Sequence, residues 1–473
     1  MAKIKKAWFC SACGNESPKW MGKCPACGEW NTMVEEIVSK SPDSSSLTSR
    51  AQSYLQGTGN AKPQPLPQIE SGNESRILLG CAGKEVAAGT GNCREGNELD
   101  RVLGGGMVKG SLVLLGGEPG IGKSTLSLQI PLMNENIRTL YVSGEESAKQ
   151  IKMRAERLGG VHDNCLVLSE TLLENILKEA HATAPQLVII DSIQTIYSQN
   201  IESSAGSVSQ VRECAAALLR FAKETGTPVI LIGHITKDGS IAGPKVLEHI
   251  VDVVLQFEGD NRHAYRILRG IKNRFGSTAE LAVYQMCSDG LREVLNPSEM
   301  FIPMHGENLS GIAVAAMLDG SRPFLIEVQS LVSTAAYGTP QRSATGFDVR
   351  RMNMLLAVLE KRVGFKLSQK DVFLNMAGGL KITDPACDLA IVAAILSSNF
   401  DASLPANVAF AGEIGLSGEI RPVSQIEKRI AEAAKLGMKK IFISSFNNPE
   451  EKRYKGLQVI QISTVAELVK QIF

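Results

Sequence analysis

The sequence predicts an α/β protein with a parallel sheet at its centre, a small cysteine-rich module before it and an α+β region after it. Three observations support this prediction. Short apolar runs alternate with helical patterns, two CxxC pairs stand near the amino terminus, and a GxxxxGK[ST] sequence follows an apolar run. A chain of 473 residues has room for about three domains.

Charge and hydropathy limit the classes of partner. Lys and Arg number 50 and Asp and Glu 49, so nucleic acid would have to be bound by local patches or loops. No apolar stretch is long enough to span a bilayer, and MAKIKKAWFC lacks the apolar run of a secretory signal. We expect a cytoplasmic protein without membrane contact, in which clustered cysteines are reduced and bind metal.

The cysteine-rich module contains Cys10, Cys13, Cys24 and Cys27 in two CxxC pairs, with ten residues between the pairs. Each pair can place two thiolates on one turn, and two such turns complete a tetrahedral zinc site. Four thiolates leave no position for a substrate, so the predicted Zn²⁺ site is structural.

The three tryptophans of the chain, Trp8, Trp20 and Trp30, surround these cysteines. They could stack on nucleic-acid bases. A module this small also needs aromatic side chains for its own core, and we favour packing.

The middle of the chain predicts the parallel sheet. The runs SLVLLGG, RTLYVSG, CLVLS, QLVIID and PVILIGH each have the pattern of a buried strand, and the segments between them have helical periodicity. Alternation of this kind predicts parallel strands covered by helices on both faces.

The GxxxxGK[ST] sequence lies between the strand SLVLLG and the helix KSTLSLQI, which is the context of an ATP-binding phosphate loop. We expect Lys123 to reach the β- and γ-phosphates and Ser124 to bind Mg²⁺. Asp191 ends the strand QLVIID, where a carboxylate helps to hold the magnesium. The predicted nucleotide-binding residues are Gly117, Glu118, Pro119, Gly120, Ile121, Gly122, Lys123, Ser124, Thr125 and Asp191.

Two further strand ends carry candidate catalytic residues. Glu145 and Glu146 follow TLYVSG, where a carboxylate can deprotonate the attacking water, although acids there also favour the start of the next helix. We favour Glu145 and leave the choice between the two open. His234 ends PVILIGH and could sense the γ-phosphate or be structural, and the loop KDGSIAGPK after it could reach DNA.

The order of these motifs, from the zinc module through LDRVLGGGMVKG, GGEPGIGKST, YVSGEES and VIIDS to KNRFG at 272–276, closely resembles the RadA (Sms) family of bacterial repair ATPases. The resemblance implies a RecA-like core and a DNA-dependent ATP hydrolase of the helicase or branch-migration type, acting in recombinational repair. It also implies a homo-hexameric ring on single-stranded and branched DNA and cooperation with the RecA recombinase. Alternatives are a strand-exchange recombinase, an ATP-dependent protease and a non-enzymatic DNA-binding adaptor.

Lys272 and Arg274 lie at the end of a strand in RGIKNRFG. Two cations there suit a finger that reaches the γ-phosphate of a neighbouring subunit, so we expect them to act in trans during hydrolysis. The alternative is a phosphate contact to DNA.

The last part of the chain resembles the proteolytic domain of Lon, whose active site is a Ser–Lys dyad. Ala386 stands where the serine is expected and Glu427 where the lysine is expected, although Lys428 is adjacent. Cys387 precedes the apolar run LAIVAAIL and is predicted to begin a buried helix, so we expect no proteolysis. The domain could instead supply subunit contacts and a DNA-facing surface, for which the candidates are Arg342, Arg350, Arg351, Lys361 and Arg362.

The expected domains are therefore a four-cysteine zinc finger at 1–36, a flexible linker at 37–75, a RecA-like ATPase domain at 76–294 and an inactive Lon-like domain at 295–473. The polar SKSPDSSSLTSR and the proline-rich AKPQPLPQ predict the linker.

Overall fold

The computed structural model describes residues 5–10, 16–26, 28–38, 76–80, 98–234, 245–259, 265–298, 302, 309–335, 339–377, 382–405, 407–449, 454 and 456–473. The chain divides into two compact units, Met1–Glu293 and Val294–Phe473. Within the described ranges, the strands form sheets of three, nine, seven and two strands. A search of the same ranges finds no helix with the length and apolar character needed to cross a membrane.

The amino-terminal ribbon is the three-stranded sheet, in the antiparallel order β2-β1-β3. Its strands are β1 (Lys5–Cys10), β2 (Glu16–Ser17) and β3 (Met33–Val38). Cys10 pairs with Met33, and these two residues form a small buried cluster with Cys24, against which Trp8 packs. Cys13 and Cys27 lie outside the described residues.

The large sheet has the order β12-β11-β10-β9-β4-β8-β7-β5-β6. Its strands are β4 (Leu112–Gly117), β5 (Thr139–Ser143), β6 (Cys165–Ser169), β7 (Leu187–Asp191), β8 (Val229–His234), β9 (Val253–Glu258), β10 (Tyr265–Asn273), β11 (Leu281–Cys287) and β12 (Gly290–Glu293). The strands from β9 to β6 are parallel, as the alternating pattern predicts. The antiparallel extension β10–β12 did not follow from that pattern, because short turns join these strands and no helix intervenes.

Helices cover both faces of the large sheet. They are α1 (Glu98–Val102), α2 (Lys123–Met133), α3 (Ala148–Arg157), α4 (Leu173–Thr183), α5 (Val208–Thr225) and α6 (Lys245–Ile250). Successive strand residues point to opposite faces, so Val113 and Leu115 enter one core while Leu112 and Leu114 enter the other. The run CLVLS was predicted to be buried. It forms β6, which is partly exposed because it is the last strand of the sheet.

The carboxyl-terminal unit has a mixed sheet in the order β15-β16-β14-β13-β17-β20-β21. Its strands are β13 (Ile312–Asp319), β14 (Arg322–Thr334), β15 (Arg342–Thr345), β16 (Lys370–Met376), β17 (Val408–Ala411), β20 (Lys440–Ser444) and β21 (Gln458–Ile462), and β18 (Glu413–Ile414) pairs with β19 (Ile420–Arg421). Its helices are α7 (Val349–Val358), α8 (Asp388–Phe400), α9 (Ile426–Lys435) and α10 (Val465–Ile472). The apolar run LAIVAAIL is buried on every side in α8.

Candidate functional site

The phosphate loop connects β4 to α2 at the carboxyl edge of the large sheet. Gly122 has φ 118°, a left-handed conformation that favours glycine, and a Cβ there would lie 3.0 Å from Met286 Cε. The Lys123 Nζ donates to the carbonyl oxygens of Gly117 (2.7 Å) and Glu118 (2.8 Å). The loop therefore holds the ammonium group within the concave turn that its own backbone forms.

Lys123 is buried, and this burial lowers the pKa of its ammonium group to about 8. The carboxylates of Asp191, Glu145 and Glu118 oppose the shift. Lys123 follows the loop at the end of β4, Glu145 lies two residues beyond the end of β5 and Asp191 ends β7, so the three residues share the carboxyl edge of the sheet. The charges of both carboxylates reach the Lys123 ammonium group.

Asp191 ends β7, and its carboxylate is held by a tyrosine to which the sequence pattern gave no role. The buried Tyr141 on β5 donates from Oη to Asp191 Oδ2 over 2.6 Å. Burial and the Asp191 charge raise the pKa of the Tyr141 hydroxyl well above its usual value, so it remains a donor. In the sequence, the only sign of this role is a residue with a polar hydroxyl group in the middle of the apolar strand pattern TLYVS. The structure pairs this strand with the one that ends in Asp191.

The two acidic residues after β5 have different partners. Glu145 is exposed, and its Oε1 accepts from Ser192 Oγ over 2.8 Å. Glu146 is ion-paired with Arg154 of α3, at 2.7 Å between Nη2 and Oε2. Preceding them, a Cβ at Gly144 would lie 2.0 Å from Thr195 Oγ1, so only glycine permits this close approach. The chain therefore directs Glu145 towards Ser192 and Lys123, and Glu146 towards Arg154.

His234 ends β8 and pairs in register with Gly117, the first residue of the phosphate loop. Its backbone thus lies beside the nucleotide-binding loop. The side chain of His234 and the loop 235–244 lie outside the described residues.

Lys272 and Arg274 lie at the opposite edge of the large sheet. Asn273 pairs with Val253 at the start of β9, and Val253 pairs with Val113 at the start of β4, whereas the phosphate loop follows the end of β4. At about 3.3 Å per residue, the length of β4 separates the two edges by roughly 17 Å. Lys272 Nζ donates to the carbonyl oxygen of Glu248, within α6, and to that of Val251 (2.8 Å), just after this helix. Arg274 forms an ion pair with Asp252.

Cys10 and Cys24, the two described residues of the predicted zinc site, are arranged as a zinc ion would need. The Cys10 and Cys24 side chains are buried together, and the turn after Cys24 is closed by Gly28 N donating to Cys24 O over 2.9 Å. Cys13 and Cys27 cannot be compared, since both lie outside the described residues. Packing was the wrong interpretation for two tryptophans: Trp20 is 53% and Trp30 68% exposed, while Trp8 alone of the three packs on the buried cysteines.

At the position where the resemblance to Lon leads us to expect a serine, Ala386 has no nucleophilic group. This residue lies in a buried 3-10 turn, Pro385–Cys387, that leads into α8. Cys387 is fully buried, and burial raises the pKa of its thiol well above the usual value, which agrees with the predicted inert cysteine. Asp384 caps the turn by accepting from Ala386 N.

The prediction that Glu427 replaces the dyad lysine was wrong. The buried residues of α9 are Ile426, Arg429, Ile430 and Ala433, and this helical spacing turns Arg429 inwards, towards the turn that carries Ala386. Arg429 is 1% exposed and donates from Nη1 to Asp384 Oδ2 (2.6 Å) and to Ala316 O (2.9 Å). A cation therefore does lie at this site, two residues beyond the position predicted from the sequence.

Among the five cations suggested for a DNA-facing surface, Arg351 has a structural role. It forms a two-pronged ion pair with the buried carboxylate of Asp388, with Nε at 2.8 Å from Oδ1. Arg342 is partly buried and donates to Asn353 (3.2 Å). Arg350, Lys361 and Arg362 remain exposed.

The fold and this site define a P-loop ATPase of the RecA-like class, joined to a zinc ribbon and a Lon-like domain. Family models match in the same order: a rubredoxin metal binding domain at residues 8–35, an AAA domain at 84–240 and subunit ChlI of Mg-chelatase at 332–447. The predicted fold class is confirmed.

Full-length relatives identify the family. The chain is 49% identical over 475 residues to the DNA repair protein RadA of Bacillus subtilis, and the alignment covers 99% of each chain. It is 48% identical to RadA of Listeria monocytogenes, over 100% of this chain and 99% of that one, and 44% identical to RadA of Streptococcus pyogenes over the whole of both. The chain belongs to the RadA family of DNA repair proteins.

Two solved structures are similar to part of the chain. A KaiC-like protein from Pyrococcus horikoshii aligns with a TM-score of 0.36 and 21% identity, over 42% of this chain and 95% of that one. The RadB recombinase aligns with a TM-score of 0.34 and 22% identity, over 42% and 96%.

Proposed function

We propose that this protein is a DNA-dependent ATPase motor of recombinational repair, which promotes branch migration of recombination intermediates together with RecA. The observation that carries the proposal is the cluster of Lys123, Glu145 and Asp191 at one strand edge, in a chain that belongs to a DNA repair family throughout its length. A non-enzymatic adaptor would have no use for this charge arrangement.

In the proposed mechanism, the loop 117–125 surrounds the phosphates of ATP and Lys123 carries positive charge to the transferring phosphoryl group. Glu145, aligned by the Ser192 hydroxyl, accepts the proton of the attacking water. Glu146 is the weaker candidate because Arg154 already pairs with its carboxylate.

Two metals are part of this proposal. Ser124 and Asp191 offer the hydroxyl and carboxylate oxygens that magnesium prefers, and that ion neutralises charge on the transferring phosphoryl group when bound with ATP. Cys10, Cys13, Cys24 and Cys27 would hold one structural zinc ion.

We further propose that Lys272 and Arg274 act on the ATP of a neighbouring subunit in a hexameric ring. Their position at the edge opposite the phosphate loop of the same subunit supports action in trans. In this structure Lys272 contacts backbone carbonyls beside α6, and Arg274 contacts Asp252. In the proposed mechanism, each cation exchanges these contacts for the phosphate bound to the neighbouring subunit. Because α6 follows the loop 235–244, DNA at that loop could control this exchange. His234, at the start of the loop, would sense the γ-phosphate.

Mixed subunits test this function. We expect Lys123→Ala and Lys272→Ala each to abolish ATP hydrolysis alone, because one removes charge at the phosphate of its own subunit and the other at that of its neighbour. Mixing the two proteins should restore part of the single-stranded-DNA-stimulated turnover. Lys223→Ala is a suitable control, since Lys223, like Arg274, forms an ion pair with Asp252.

Normal turnover by Lys123→Ala would contradict the ATPase mechanism, and no rescue at any mixing ratio would contradict action in trans. The strand-exchange alternative predicts a filament rather than a ring, which electron microscopy of the DNA complex distinguishes.

A further inference from the structure

The zinc ribbon carries two indole rings that its own core does not use. Trp20 and Trp30 both lie against Gly22: a methyl group added there would be 3.6 Å from Trp20 Cη2 and 3.8 Å from Trp30 Cζ3. The bridge between Lys23 and Trp30 and the hydrogen bond from Asn31 N to Gly22 O (2.8 Å) fix the backbone beneath them. The two rings therefore flank one glycine on a braced turn.

Both rings are largely open to solvent. The exposed fraction is 53% for Trp20 and 68% for Trp30, whereas Met33, Cys10 and Cys24 are buried. Large exposed aromatic groups that lie side by side are typical of binding surfaces rather than of solvent-facing turns.

The charges around the two rings suit a polyanion. Lys23 Nζ lies 5.7 Å from the centre of the Trp30 ring, and Lys19, the residue before Trp20 in the sequence, is exposed. Among the described exposed side chains of residues 17–31, these two cations accompany one carboxylate, Glu29. Indole faces with adjacent ammonium groups are the combination with which proteins bind unpaired bases and their phosphates.

We propose that Trp20 and Trp30 form a stacking surface for the bases of single-stranded DNA, with Lys19 and Lys23 contacting the phosphates. The proposal rests on the proposed action of this protein on DNA and assigns the ribbon a direct contact with it. Stacking accepts every base, so the contact would be independent of sequence and would hold the displaced strand near the motor.

The chain provides its own reporter, because its three tryptophans are Trp8, Trp20 and Trp30. Titration of the full-length protein with a single-stranded oligothymidylate should quench the indole emission as the bases stack. The double variant Trp20→Ala/Trp30→Ala should lose this quenching and bind the oligonucleotide about 5- to 30-fold more weakly, as expected for the loss of one or two stacked bases.

Two further variants control the experiment. Val34→Ala removes another exposed apolar side chain of the ribbon and should bind like the wild type. Trp20→Phe/Trp30→Phe keeps two stacking rings and should recover most of the affinity. Metal analysis should find equal zinc in all variants. Should the alanine variant lose zinc, the emission of the wild-type protein decides, because quenching of its indoles by the oligonucleotide is measured on the intact, zinc-containing ribbon.

Unchanged emission on saturation with DNA, or equal affinity of the wild type and the zinc-containing alanine variant, would overturn the proposal and direct attention to a protein partner. These outcomes are distinct from failure of the proposed function. If the ribbon does not stack but ATP hydrolysis is still stimulated by the oligonucleotide, the motor assignment stands. If neither binding nor stimulation occurs, the DNA-dependent function itself is wrong.

Discussion

At the scale of single residues, the catalytic edge depends on hydrogen bonds that position charged groups. The Asp191 carboxylate accepts from Tyr141, and the Glu145 carboxylate accepts from Ser192. A hydrogen bond to a charged group in a buried setting contributes more than one between neutral groups, and it also fixes direction. Tyr141 is thus a positioning residue that acts through Asp191.

We expect Tyr141→Phe to lower the magnesium-dependent part of nucleotide affinity about tenfold, which corresponds to the roughly 1.5 kcal/mol of a hydrogen bond to a charged group. Affinity for a fluorescent ADP analogue without magnesium should not change. Tyr284→Phe is the matched control, because the Tyr284 hydroxyl is buried without a hydrogen-bond partner among the described residues.

An equal loss in both tyrosine variants would mean that Tyr141 contributes only to packing. A double-mutant cycle gives a second criterion. If Tyr141 acts through Asp191, then Tyr141→Phe should add nothing to Asp191→Asn, whereas additive losses would contradict the positioning role.

At the scale of secondary-structure elements, β12 carries a carboxyl group into an acidic environment near α1. Burial, together with the charges of Glu98 and Asp100, raises the pKa of Glu293 from its usual value of 4.5 to about 7. A hydrogen bond from the backbone of Glu98 and the charge of Arg101 oppose the shift. Between pH 4.5 and about 7, the Glu293 carboxyl group is therefore mostly protonated in the folded protein and mostly ionised in the unfolded chain.

Because the folded state binds more protons there, the contribution of Glu293 to stability falls as pH rises from 4.5 through about 7 and stays low above it. We expect Glu293→Gln, which stays neutral, to stabilise the first unit at pH 8 by on the order of 2 kcal/mol. Below pH 4 the gain should vanish. Thermal unfolding at both pH values measures it, and a gain independent of pH would contradict the linkage.

At the scale of the whole molecule, the carboxyl-terminal unit is a Lon-like domain in which Ala386 and Arg429 are both buried. Ala386 supplies no nucleophile, and the cation next to it is the guanidinium of Arg429, which is bonded to Asp384. Guanidinium stays protonated and cannot take a proton from a hydroxyl, unlike the amine of a Ser–Lys dyad.

We therefore expect the wild-type protein to produce no fragments from an unfolded substrate in the presence of ATP. Restoring the hydroxyl with Ala386→Ser should not create activity either, because Arg429 cannot act as the base. Gel analysis of casein incubated with each protein measures this. Cleavage by Ala386→Ser alone would show that another group accepts the proton, and cleavage by the wild type that disappears in Cys387→Ala would identify the cysteine as the nucleophile.

The sequence by itself determined features whose physical cause is local or periodic. Alternating apolar runs require buried parallel strands, so the central sheet and the carboxyl-edge positions of Lys123, Asp191 and Glu145 followed from pattern alone. Features that depend on long-range neighbours were decided only by the tertiary structure. Tyr141 meets Asp191 because β5 lies beside β7, and Arg429 faces Ala386 because of the phase at which α9 packs. The exposure of Trp20 and Trp30 was likewise hidden, since composition shows that a ribbon needs a core but not which aromatic residues form it.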